Sequence, residues 1–223
     1  MNKICCLFIN HKPECYKERY EKMSKSVDYI DFYNINPDWE EIKNNYSEWM
    51  FGVNGKRCNK DNVPFVIFHF KYTHPEYDYY FVMENDVLFT GDYKLLFDEL
   101  TKNIYDYDYM IQEKWHIATK KWCWLSPHRC KLIDGYSVEK NNIKHVLYNF
   151  FYLKNTVIDY MLQKYKEGYY GHPELCMSCI LMKYSDKKDL ATNHFNIKCF
   201  VKEEKIIPEY LKMENTIVHP IKE

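Results

Sequence analysis

The chain has 223 residues, 46% hydrophobic and 28% charged, which is enough apolar material for one globular domain with a full core. Its 31 Lys and Arg balance 32 Asp and Glu to a formal charge of -1, and no long basic run breaks that balance. This excludes bulk nucleic-acid binding as the main task.

Residues 3–10 (Lys-Ile-Cys-Cys-Leu-Phe-Ile-Asn) read as a first buried strand, ending in the polar loop Asn10-His11-Lys12-Pro13. Pro13 suits the first turn of a helix, on which Tyr16, Tyr20 and Met23 form an i, i+4, i+7 stripe. Residues 29–33 give a second short strand, and Pro37-Asp38 opens a helix running to about Trp49. Strand, helix, strand, helix predicts a parallel sheet with right-handed crossovers. A polar loop covers 51–62. Asp61 is placed to cap the next helix, Pro64 sits in its first turn, and Val63, Ile67 and Phe70 make its core stripe. His74-Pro75 ends it.

Residues 79–83 (Tyr-Tyr-Phe-Val-Met) form an uninterrupted apolar and aromatic run, as expected of a central strand covered on both faces. The run stops at Glu84-Asn85-Asp86 and resumes as Val87-Leu88-Phe89. Gly91-Asp92 then starts a helix carrying Leu96 and Leu100, and 108–112 is a further strand. From 113 to 135 periodicity is lost. Trp115, Trp122, Trp124, His116 and His128 fall in this stretch, which has the character of a substrate loop. Any one of those tryptophans serves equally well as core. Residues 145–153 read as an apolar strand, followed by a helix capped by Asn155 or Thr156 with Val157, Ile158, Met161, Leu162 and Tyr165 on one face. Gly-Tyr-Tyr-Gly-His-Pro-Glu (168–174) leads into a last helix, with Pro173 at its first position and Glu174 in its first turn. Cys176 and Cys179 on that helix read as a buried structural pair.

The remaining composition is bland. No apolar segment nears the ~20 residues that span a bilayer, and residues 1–10 lack the length and cleavage region of a signal peptide. Nine scattered cysteines, an odd number, suit reduced thiols in a cytoplasm. The 22 Tyr and 13 Phe are read as coding bias rather than as an aromatic binding surface.

The chemistry concentrates where the central strand ends. Two carboxylates two residues apart, just beyond a buried strand, are costly unless paired or bound to a metal. In an open α/β sheet, ligands occupy the crevice at the strand carboxyl ends. Hard oxygen donors there suit Mg²⁺ or Mn²⁺ bridging to a diphosphate. Glu174, by contrast, is also a favourable helix-start residue in its own right.

The run Tyr-Asp-Tyr-Tyr-Phe-Val-Met-Glu-Asn-Asp-Val-Leu-Phe-Thr-Gly-Asp resembles the acidic D-x-D metal motif of nucleotide-sugar glycosyltransferases with the GT-A fold, with Glu84 in place of the first acid. Gly171-His172-Pro173-Glu174 resembles the later motif whose acid meets the acceptor, and Val-His-Pro-Ile-Lys (218–222) resembles the terminal histidine segment that completes the metal site. The three stand in the family's order over nearly the whole chain. The resemblance implies a single GT-A-like α/β domain with a mixed, mostly parallel sheet flanked by helices, its nucleotide-binding half about 1–112 and its acceptor-binding half about 113–223.

It further implies Mn²⁺ or Mg²⁺ held by Asp86 and His219, with Glu84 reaching the ion through water or holding the ribose. Lys222 would add charge at the diphosphate of a UDP- or GDP-sugar, and His11, Lys12 and Asp61 would lie near the nucleotide. Trp115 and His172 would face a glycan or other hydroxyl acceptor. Glu174 would be the general base of an inverting reaction; a retaining one would give it a binding role instead. Two other readings remain open on the residues. A metal-dependent phosphohydrolase or nucleotidyltransferase would need another carboxylate, from Glu113 or Asp134. The third is an inactive transferase-like domain that binds glycans.

Overall fold

The computed structural model describes residues 3–10, 16–50, 63–102, 104–111, 116–117, 144–145, 149–184, 196–199 and 212–219. Its centre is built from the apolar runs at 4–9 and 79–83. β1 (Ile4–Ile9) and β3 (Tyr79–Glu84) lie side by side in parallel, with Ile4 opposite Tyr79 and Ile9 opposite Glu84. β2 (Asp31–Ile35) adds in parallel to the other side of β1. β8 (Phe150–Lys154) runs antiparallel to β3, and β5 (Tyr109–Met110) runs antiparallel to β8. The five-stranded order is β2-β1-β3-β8-β5, so every strand but β8 points the same way. This is the mixed, mostly parallel α/β sheet expected, within one domain.

Strand alternation sorts the core into two layers. Cys5, Leu7 and Ile9 of β1, Tyr80 and Val82 of β3, and Phe151 and Leu153 of β8 face one layer. Against them pack α2 (Trp39–Met50), α3 (Val63–Thr73), α5 (Asn155–Lys166) and α6 (Pro173–Tyr184). Ile4, Cys6, Phe8, Tyr79, Phe81, Met83, Phe150 and Tyr152 face the other layer. That side is closed by α1 (Lys17–Ser24) and α4 (Tyr93–Thr101), through Met23, Tyr93, Leu96, Phe97 and Leu100.

Several boundaries differ from the sequence reading, each for a local reason. β2 begins two residues later than expected, because residues 28–30 bend before the edge strand starts. Of the expected strand over 145–153, His145 lies in β7 (Lys144–His145), which pairs with β6 (His116–Ile117), residues 150–153 lie in β8, and residues 146–148 lie outside the described residues. α3 buries Val63, Pro64, Phe65, Val66, Ile67, Phe68 and Phe70, so it is enclosed on nearly all sides rather than along one stripe. α5 takes Lys154 as its cap position with no side-chain cap bond, in place of Asn155 or Thr156. By contrast Asp38 does start α2, accepting from the amides of Glu40 and Glu41. Cys176 and Cys179 are both fully buried on α6, as expected. Among the described residues, no helix is long and apolar enough to cross a membrane.

Candidate active site

The site is built on the turn that follows β3. The strand hands over to the turn through backbone bonds to both neighbouring strands' ends. The Glu84 amide donates to the Asn149 carbonyl at 2.9 Å, and the Asn85 amide donates to the Ile9 carbonyl at 3.0 Å. The Val87 amide closes the turn on the Glu84 carbonyl at 3.1 Å. With Asn85 only 7% exposed, the turn has its middle residue packed inward while Glu84 and Asp86 remain half-buried at the sheet's carboxyl edge.

Past the turn, β4 (Leu88–Phe89) leaves the main sheet and pairs antiparallel with β10 (Thr216–His219), Leu88 opposite Val218 and Phe89 opposite Ile217. β9 (Asn196–Cys199) flanks β10 in parallel. The amide of Thr90 donates to the Thr216 carbonyl, and the amide of Thr216 donates to Thr90 Oγ1, each at 3.0 Å. Pinned in this register, the last residue of β10 comes to lie beside the acidic turn. His219 Nε2 is 3.2 Å from Asp86 Oδ1 and 3.8 Å from Glu84 Oε2.

One ligand atom from each of Glu84, Asp86 and His219 lies within 4.8 Å of the other two. Among the described residues, the buried Asp86 Oδ1 has no hydrogen-bond partner, a costly state for a carboxylate oxygen unless a cation is near. Atoms at these separations can share a small divalent ion, whose bonds to oxygen are ~2.1 Å. Two carboxylates and an imidazole suit Mn²⁺ better than Mg²⁺. The donor set therefore fits the metal that the sequence pattern implies.

Glu174 reaches the same region from the first turn of α6. Gly168, at φ 95°, reverses the chain after α5 in the left-handed conformation glycine tolerates, and so delivers residues 169–174 back toward the sheet. The amides of Leu175 and Cys176 donate to the His172 carbonyl at 2.9 and 2.8 Å, which fixes the start of the helix. Burial pushes the Glu174 carboxyl up to about 7, against a smaller downward pull from the charge of His219. A helix N-terminus favours the charged form, yet here desolvation wins. His172 Nδ1 stands 3.8 Å from Glu174 Oε2.

The structure thus brings Glu84, Asp86 and His219 into contact, with Glu174 and His172 as a pair at the start of α6. His11, Lys12, Asp61, Trp115 and Lys222 lie outside the described residues, as do Trp122, Trp124, His128, Glu113 and Asp134. His116 lies in β6, where only the backbone is described. Sequence reasoning missed Arg19, whose Nη1 donates to the carbonyls of Asn85 at 2.7 Å and Val87 at 3.4 Å. It has one faint signature: only three of the 31 basic residues are arginines, so the position stands out among lysines.

No protein-family model and no curated protein sequence matches the chain. Among solved structures it is similar to a glycosyltransferase involved in the glycosylation of the major capsid of PBCV-1, at 8% identity and a TM-score of 0.40, over 74% of this chain and 66% of that one. It is also similar to mouse xyloside xylosyltransferase 1 in its apo form, at 8% identity and a TM-score of 0.48, over 98% of this chain and 97% of that one. At such similarity the functional reading rests on the site's own geometry.

Proposed function

We propose that the chain is a glycosyltransferase that moves a sugar from a nucleoside-diphosphate sugar to an acceptor hydroxyl with the help of Mn²⁺ or Mg²⁺. The observation that carries this reading is the 3.2 Å approach of His219 Nε2 to Asp86 Oδ1. Two motifs at distant points of the sequence meet at the carboxyl edge of the sheet, where α/β folds bind ligands. In this reading Asp86 and His219 hold the ion and Glu84 completes its surroundings or takes the ribose. The bound ion supplies positive charge for the departing diphosphate. His11, Lys12, Asp61 and Lys222 complete the nucleotide side.

Glu174 is the general base. One of its carboxylate oxygens takes the proton of the acceptor hydroxyl, and the hydroxyl oxygen forms a bond to the anomeric carbon. The bond from that carbon to the diphosphate oxygen breaks, its electron pair leaves with the diphosphate, and the anomeric centre inverts. A base works best when its pKa lies near the working pH, and burial has brought Glu174 to about 7. His172 and Trp115 serve the acceptor, the first as a neighbour of the base and the second as a stacking surface.

The test is a thermal-shift panel of nucleoside diphosphates, nucleotide sugars and free glycans, each with and without Mn²⁺. Stabilisation by one nucleoside diphosphate only in the presence of metal is the expected result. Stabilisation by a free glycan without metal would replace the transferase reading with a glycan-binding one.

A further inference from the structure

We propose that Arg19 is a positioning residue for the metal-binding turn, acting on its backbone. The inference rests on the metal-site reading above and adds a residue from a different part of the fold. Arg19 belongs to α1, and its guanidinium reaches across to β3's end. Nη1 donates to the Asn85 carbonyl at 2.7 Å and to the Val87 carbonyl at 3.4 Å. These two carbonyls bracket Asp86 in sequence, so a single side chain holds the turn on both sides of the metal-ligating residue.

The arm is itself held. The guanidinium carbon lies 5.0 Å from the centre of the Tyr16 ring, and Tyr16 is buried against the sheet layer that α1 covers. A planar guanidinium can stack on a ring and donate in its plane at once; an ammonium is a point donor on a flexible stem. That difference gives a physical reason for an arginine here in a chain whose other basic positions are nearly all lysine.

The consequence is for the ion more than for the fold. The turn's amides already bond to Ile9 and Glu84, and the strands on either side are paired, so losing Arg19 leaves the chain path intact. What it frees is the rotation of the Asn85 and Val87 peptides, and with it the orientation of Asp86 toward His219. Groups that orient metal ligands without touching the metal change affinity by roughly 10- to 100-fold when removed.

The experiment measures Mn²⁺ binding to the full chain, by the electron paramagnetic resonance signal of free Mn²⁺, for wild type, Arg19→Met, Arg19→Lys and Asp86→Asn. Melting temperatures in chelator are recorded alongside. The expected result is roughly 10-fold weaker binding or more in R19M, with a melting temperature close to wild type and full occupancy recovered at saturating Mn²⁺. D86N should not recover at any concentration. R19K should fall between wild type and R19M, since its ammonium serves one carbonyl at a time, and it carries the test if R19M fails to fold. Equal affinities in wild type, R19K and any folded R19M overturn the positioning role while leaving the metal site standing. No binding by wild type, or no loss in D86N, overturns the metal site itself and this inference with it.

Discussion

Replacing Glu174 by glutamine should make the protein more stable at alkaline pH while removing its activity. Glutamine keeps the shape of the side chain and cannot ionise. The wild-type carboxyl stands at about 7 in the folded chain, against an ordinary 4.5, because burial disfavours its charged form. The unfolded chain releases that proton near 4.5. Between the two values the native state therefore binds more protons, and stability falls as pH rises. The penalty is absent below about 4.5 and fully present above about 7.

That gap corresponds to at most about 3 kcal/mol, and the side chain's 25% exposure lets solvent reduce it. For a chain of this size ~1 kcal/mol moves the melting temperature by roughly 2–4 °C, so the ceiling is roughly 6–12 °C. The assay is a set of thermal melts of wild type and E174Q in chelator from pH 4.5 to 9. E174Q should match wild type at the acid end and melt several degrees higher at pH 8. A difference that does not change with pH, or that grows toward acid, would refute the claim that burial of this carboxyl controls its ionisation.

Other predictions address the metal and its supports. Adding Mg²⁺ should move the midpoint of the wild-type profile below 7, because the carboxyl that senses the charge of His219 will also sense an ion bound there; an unmoved midpoint would separate Glu174 from the metal region. Asp86→Ala should abolish metal-stimulated hydrolysis of a nucleotide sugar, and wild-type rates in that variant would end the metal assignment. Gly91→Ala should destabilise the chain by roughly 1–3 kcal/mol in a urea titration, since the added methyl would collide with Asn215 Oδ1 and stand 2.8 Å from the Phe89 ring. An unchanged midpoint there would mean that the junction between β4 and β10 relaxes freely.

The parts of the fold that were legible in sequence are those where burial alone decides the residue pattern. The runs at 4–9 and 79–83 are apolar on both faces and could be read as central strands, and α4 showed its register through Leu96 and Leu100. What stayed hidden depends on pairing between distant segments. β4 is only Leu88 and Phe89, too short to show alternation, and its partner β10 lies near the other end of the chain. Yet that pairing is what delivers His219 to Asp86. The site was legible as chemistry, through the acids at a strand end. Its geometry was not, since a backbone clamp such as Arg19 leaves no periodic trace.

The most direct measurement is the anomalous scattering of Mn²⁺ in crystals soaked with the ion and a uridine or guanosine diphosphate. The account predicts one strong peak bounded by Asp86, His219 and the diphosphate oxygens. A diphosphate bound elsewhere, or no peak beside Asp86, would contradict it.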